Sequence, residues 1–169
     1  MARFYKLLVM VCFLIIIDQL TKGWAQSALQ FKPSISVLDG FFQFTYVENR
    51  GAAWGALADA PKWIQDLVLR LLTSAFTCWV IYMLIKTIKG PFHMSLAYAL
   101  IVAGAIGNLI DRFFLGYVID FLDFYHGYYH FPAFNVADSC ISIAAGLLIF
   151  DMIINAKKKD PDQLKKSES

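Results

Sequence analysis

The chain has 169 residues, a formal net charge of +2, and a content that is 59% hydrophobic and 16% aromatic. Soluble domains of this size average about 45–50% apolar residues, so the excess points to a membrane protein. The small net charge, with no basic-aromatic repeat, argues against a nucleic-acid binder. Cys12, Cys78 and Cys140 lie in apolar runs without CxxC spacing, so they read as small hydrophobes rather than disulfide or metal residues.

A membrane-spanning helix needs about 20 mostly apolar residues. The first candidate covers 5–22, preceded by Arg3 and Lys6. It has the look of a secretory signal, and Ala25-Gln26-Ser27 faintly resembles a cleavage site. Asp18 and Lys22, however, stand where a signal's apolar core would continue, so the segment is expected to remain as a span. Residues 23–61 are too long for a plain turn. Within them, 34–55 starts with β-branched and aromatic residues around the turn signal Asp39-Gly40 and predicts a small sheet at the membrane surface.

The second span is expected at 64–88, with Asp66 and Arg70 placed to pair on one helical face. The third is expected at 92–114, after the break Lys89-Gly90-Pro91, and the fourth at 136–155. Residues 115–133 between them are crowded with aromatics and predict an interfacial belt or a short helix lying on the bilayer. The stretch 1–156 reads as a single membrane-embedded domain, and 157–169 as a charged, disordered tail. The fold class is thus an all-α membrane protein of four transmembrane helices with a small outer β segment.

Four spans bring both termini to one side. That side collects Arg3, Lys6, Lys86, Lys89, Lys157, Lys158, Lys159, Lys165 and Lys166, which makes it the cytoplasm by the positive-inside rule.

This orientation brings distant polar residues to one depth. Asp18, Lys22, Asn108, Arg112, Asp120 and Asp138 all converge on the outer interface. Gly104, Asn108 and Arg112 recur every four residues and line one helical face. The missing side chain of Gly104 is expected to leave room for a substrate. Asn135 stands where a helix cap belongs, and Asp138 falls in the first turn, where the helix dipole favours an acid. Those local roles explain each residue alone but not the presence of Asp120 beside Asp138. Asp111 reads more simply as a solvated interfacial acid or a partner for a nearby base. Ionisable groups near a bilayer are costly unless paired or wetted, and two carboxylates sharing a proton and a water form an acid–base pair.

Other chemistries fit less well. His126 and His130 are four residues apart, but no His-Glu-x-x-His accompanies them. No Gly-x-Ser-x-Gly is present. A proton path or channel would spread its acids over successive depths, whereas these cluster at one interface.

Five stretches together resemble the motifs of the bacterial lipoprotein signal peptidases, the signal peptidase II family. They are Asp18-Gln19-Leu20-Thr21-Lys22, Asn49-Arg50-Gly51-Ala52-Ala53, Gly104-Ala105-Ile106-Gly107-Asn108-Leu109-Ile110-Asp111-Arg112, Ile119-Asp120-Phe121 and Phe134-Asn135-Val136-Ala137-Asp138-Ser139. Order and spacing match over about residues 5–155; Ile119 and Trp54 replace an expected Val and Phe. The resemblance implies four transmembrane helices with a small extracytoplasmic β-cradle and a mobile outer loop. It also implies an inner-membrane aspartyl endopeptidase that cuts a prolipoprotein just before a diacylglyceryl-modified cysteine. Asp120 and Asp138 correspond to the catalytic pair. Asp18, Lys22, Asn49, Gly104, Asn108, Arg112, Asn135 and Ala137 correspond to further characteristic positions that bind substrate or organise the site. The expected partners are diacylated prolipoproteins and membrane lipid, with no nucleic acid, cofactor or metal, acting on a monomeric enzyme.

Overall fold

The structure is a computed structural model that describes residues 1–51 and 61–167, with side chains at all of these except 62, 65 and 157–167. The end of the expected outer β segment, 52–55, lies outside the described residues, as do Ala52, Ala53 and Trp54 of its small-residue motif. Among the described residues, four helices are long and apolar enough to cross a membrane: α1 (Ala2–Leu29), α2 (Lys62–Thr87), α3 (Phe92–Phe114) and α4 (Val136–Ser167). Four strands accompany them: β1 (Ile35–Leu38), β2 (Phe42–Asn49), β3 (Val118–His126) and β4 (Tyr129–His130). They form one antiparallel sheet in the order β1-β2-β3-β4.

The central helix is α3. It is buried almost without interruption from Ala97 to Ala105, and the other three helices pack on it. Its small residues permit this close approach, as is usual where helices meet in lipid. Outer faces of the other helices expose Leu8, Phe13, Ile16, Leu72, Trp79 and Ile149, an apolar surface that water would not tolerate. With its apolar spans, this makes the chain a multi-pass membrane protein.

Helix α1 runs seven residues past its expected end at Lys22, to Leu29. The extension is stabilised by packing rather than by lipid. Ala25 and Leu29 are buried against Ile119 and Phe121 of β3, and Trp24 meets Phe44 edge to face at 5.1 Å. Helix α4 also continues beyond its apolar part, Val136–Ala156, to Ser167. The sequence reading placed a disordered tail there. The run does contain good helix formers in Lys, Gln and Leu, although Pro161 cannot donate its hydrogen bond.

The β1–β2 turn falls at Asp39-Gly40, as expected. Gly40 takes a positive φ of 77°, and the Phe41 N–H donates to Leu38 O at 3.0 Å. The segment after α3 differs from expectation. It holds a nine-residue strand, β3, in place of a belt or interfacial helix. Val118, Ile119, Phe121, Phe124 and Tyr125 suit a strand by residue type. Glycines at positive φ bracket it: Gly116 (81°) turns the chain out of α3, and Gly127 (59°) opens a two-residue hairpin loop into β4.

After β4, Phe134 returns to pair with Leu122, and its carbonyl accepts from the N–H groups of Phe121 and Leu122 at 3.1 and 2.9 Å. Asn135, the next residue, therefore enters α4 alongside Asp120.

Candidate active site

Asn135 organises the site. Its carboxamide oxygen accepts from the Asp138 N–H at 2.9 Å, while its own backbone N–H donates to Asp138 Oδ2 at 3.3 Å. This is a reciprocal helix cap, so the local role foreseen for Asn135 is real. The same side chain also acts across the fold. Its Nδ2 donates to Asp120 Oδ1 at 2.7 Å and approaches Ile119 O and Asn108 Oδ1 at 3.2 Å each. The buried carboxamide thus bonds the Asp120 carboxyl and the Asp138 backbone N–H, while the Asn135 backbone N–H reaches the Asp138 carboxyl. The pairing of Phe134 with β3 makes this possible by delivering the cap of α4 beside the middle of the strand.

Asp120 and Asp138 occupy different environments. Asp120 is 1% exposed, whereas Asp138 is half-buried. The second Asp120 oxygen accepts from Asn49 Nδ2 at 2.9 Å, and Asp138 Oδ1 accepts from Asn108 Nδ2 at 2.7 Å. Burial pushes the Asp120 carboxyl up to about 6, against the pull of the Asn49 amide and with the charge of Asp138 adding to the push. Asn49 sits at the end of β2, where its Oδ1 accepts from the Gly51 N–H at 2.9 Å. Gly51 needs its freedom here: φ is 71°, and a Cβ would lie 2.8 Å from Leu69 Cδ1.

Behind this pair lies a second, closed group of charges. Lys22 is 1% exposed, and its ammonium donates to Asp18 Oδ2 at 2.8 Å, Asp111 Oδ2 at 2.9 Å and Asn108 Oδ1 at 3.0 Å. Those contacts use all three of its protons. Asp18 Oδ1 accepts from the Ala137 N–H at 2.9 Å, so a side chain from α1 satisfies a free amide at the start of α4. Asp111 accepts from the Ile119 N–H at 3.2 Å and from Gln19 Nε2 at 3.1 Å. Of the two readings of Asp111 from sequence, partner of a base holds and solvated acid does not.

Asn108 joins the two groups. Because its oxygen faces Lys22, its amide must face Asp138, which fixes the orientation of both. Arg112, one turn on, reaches the Asn108 carbonyl at 3.4 Å and lines a cleft with Asn49, Asp66, Arg70 and Tyr117.

Eight expected residues therefore converge directly: Asp18, Lys22, Asn49, Asn108, Asp120, Asn135, Ala137 and Asp138. Arg112 borders them. Gly104 does not serve as foreseen. A Cβ there would collide with Ala137 O and lie 2.7 Å from Ile141 Cγ1, so the expected room is filled by α4. Gly104 permits helix packing instead.

Sequence reasoning gave no role to Gly107, although a Cβ there would lie 2.6 Å from Asp18 Oδ2. A glycine inside an apolar helix is unfavourable by about 1 kcal/mol relative to alanine and commonly marks such a close approach. Gln19 was also unassigned, yet it bridges Asp18, Gly107 O and Asp111. Asp66 and Arg70 form no ion pair among the described residues; Arg70 lies over the Phe113 ring instead. His130 sits on β4, bonded to Asp123 at 2.9 Å and stacked on Tyr125.

A family model described as signal peptidase (SPase) II, Peptidase_A8, matches residues 10–154. A lipoprotein signal peptidase of Shewanella loihica is 43% identical over 164 residues, which cover 97% of this chain and 94% of that protein. One from Syntrophus aciditrophicus is 44% identical over 145 residues, covering 86% and 90%. A bacterial membrane enzyme solved by the in meso method at 2.3 Å matches with a TM-score of 0.75 and 31% identity, over 91% of each chain. Sequence and fold agree over nearly the whole chain, and it belongs to the signal peptidase II family.

Proposed function

We propose that this protein is an aspartic endopeptidase that removes signal peptides from diacylglyceryl-modified prolipoproteins, cutting just before the lipidated cysteine. Membership of the signal peptidase II family supports the reaction. The observation that carries the residue assignment is the bridge made by Asn135, whose one side chain caps Asp138 and bonds Asp120 at 2.7 Å.

In the resting pair Asp120 holds the shared proton, because burial disfavours its charge. Asp138, at the start of α4, serves as the base. Asp138 takes a proton from a water whose oxygen attacks the scissile carbonyl carbon, while Asp120 gives its proton to the carbonyl oxygen. The resulting gem-diol then collapses. Asp138 passes its proton to the leaving nitrogen, the C–N bond breaks, and a diol proton returns to Asp120. No covalent intermediate forms. Asn49, Asn108 and Asn135 hold the two carboxyls in place, and Arg112 offers donors to substrate carbonyls at the cleft wall. Asp18 and Lys22 support the start of α4 from behind.

The single domain 1–156 lies in the bacterial inner membrane with both termini in the cytoplasm, leaving 157–169 as a cytoplasmic tail. The sheet and the acid pair then stand at the outer face. There a peptide bond meets water while its neighbours remain in lipid. The diacylglyceryl group acts mainly by holding the cysteine at this depth, which positions the bond.

Purified protein in detergent, given a diacylated prolipoprotein and its unmodified form, tests the reading. The lipidated substrate is cut before cysteine, the unmodified one far more slowly, and added chelator changes neither rate. Equal rates for the two substrates would remove lipid from recognition. A fusion placing a cytoplasmic reporter after Ser169 is active; an inactive reporter there would reverse the orientation.

A further inference from the structure

A cavity lies between α1 and α2, and none of its lining residues belongs to the acid pair. Helices α1 and α2 each pack on α3 but barely touch one another. The gap between them is a cavity of about 290 Å³ lined entirely by apolar groups and one thiol. Phe4, Leu8 and Cys12 form part of one wall and Ile81, Ile85 and Ile88 part of the other, with Val102 and Ile106 of α3 behind. Such a space holds water poorly because it offers no polar partners. In a bilayer, hydrocarbon can enter from the side.

Its rim is basic. Arg3 adjoins the wall residue Phe4, and its guanidinium donates to the carbonyls of Ile88 and Gly90 at 3.0 and 2.7 Å. It also lies over the Phe92 ring, with 5.9 Å to the centroid. Lys6, Lys86 and Lys89 are exposed at the same end. Among the described residues none of these four cations forms an ion pair. Arg3 satisfies its donors with uncharged carbonyls, so its charge remains available to an anion. Apolar walls ending in uncompensated positive charge match one occupant in shape and in charge.

We propose that the α1–α2 cavity is a binding site for an anionic phospholipid. One acyl chain lies between the two helices, and the headgroup phosphate rests among Arg3, Lys86 and Lys89. The lipid fills the space that α1 and α2 leave open and so fixes α2 relative to α3. This site is separate from the acid pair and does not depend on the peptidase assignment.

The test titrates delipidated protein in detergent with phosphatidylglycerol or with phosphatidylcholine of the same chains. Binding is followed by native mass spectrometry and by the melting temperature. Phosphatidylglycerol binds one per chain and raises the melting temperature saturably, at least tenfold more tightly than phosphatidylcholine. Arg3→Ala combined with Lys89→Ala removes the preference. Cys12→Trp, which fills the cavity, removes binding of both lipids while prolipoprotein cleavage continues. Should Cys12→Trp fail to fold, blocking of Cys12 by an apolar thiol reagent in a Cys78→Ser background gives the same readout, slowed by bound lipid. Equal affinity for the two lipids would overturn headgroup recognition. Absence of saturable binding would overturn the site, and displacement of the lipid by prolipoprotein would make the cavity part of the substrate path.

Discussion

Two acidic pairs lie back to back in this molecule, and they differ in one ingredient. Asp18 and Asp111 share the ammonium of Lys22, whose three protons are all used. Among the described residues no ion pair joins a cation to Asp120 or Asp138; neutral asparagines hold them instead. The first pair is closed, its two carboxylates sharing one ammonium and its geometry tied to helix packing. The second is open, and the like charges favour keeping a proton. Residue type is the same in both groups; the placement of the cation, and the half-exposed position of Asp138, set them apart.

The largest effect expected from this contrast falls on the open pair. Asp120→Asn and Asp138→Asn each lower turnover by about 10⁴-fold, and the double variant is little worse because residues acting as a unit are not additive. Cleavage rates checked beside melting curves decide this; near-normal turnover in either folded single variant would break the contrast.

Next in size is the closed pair. Lys22→Met leaves two acids buried without a cation and destabilises the fold by about 3–5 kcal/mol. Chemical unfolding in detergent measures it. A variant that keeps its stability yet loses activity would move Lys22 to the chemical side of the comparison.

A smaller loss follows from crowding the closed pair. Gly107→Ala places a methyl within 2.6 Å of Asp18 Oδ2, at a cost of about 1–3 kcal/mol. Gly104→Ala meets the α4 backbone and is expected to be at least as damaging, seen as a lower melting temperature rather than a change in cleavage position.

The finest test is pH. With its carboxyl raised from 3.8 to about 6, folded Asp120 holds a proton that the unfolded chain has already lost between those values. Its contribution to stability therefore falls as pH rises through that window and levels off above it. The alkaline limb of kcat/KM, which reports the free enzyme, has its midpoint near about 6 for the same reason. Asn49→Ala removes a donor that stabilises the ionised form, so it moves this limb upward. A downward shift would show that Asn49 does not act on the proton-bearing acid.

Much of this arrangement was legible in the sequence. The long apolar runs located the four helices, and the i,i+4 spacing of Asp18 and Lys22 already paired them. Cap residues at Asn135 and Asp138 marked the start of α4. Strand β3 was harder to read because it has no clean alternation: Val118 through Phe121 are all buried, and both faces of that stretch are covered. Aromatic residues that suit a strand also suit a membrane interface, so type alone did not choose between them. Gly104 and Gly107 carry no side chain to signal a role, and whether space beside a glycine is empty or filled depends on the helix across from it. The bridge made by Asn135 depended on the Phe134–Leu122 pairing, a contact between residues 12 apart that no local pattern encodes.

The central claim is that the open pair carries a proton, held by Asp120. Infrared spectroscopy of the purified protein in detergent, with isotope-labelled aspartate, reads this through the carbonyl stretch of a protonated carboxyl. The account predicts a buried carboxyl band that titrates away near pH about 6, survives Asp111→Asn and disappears in Asp120→Asn. A band that persists in Asp120→Asn but is lost in Asp111→Asn would place the proton on the closed pair and contradict the account.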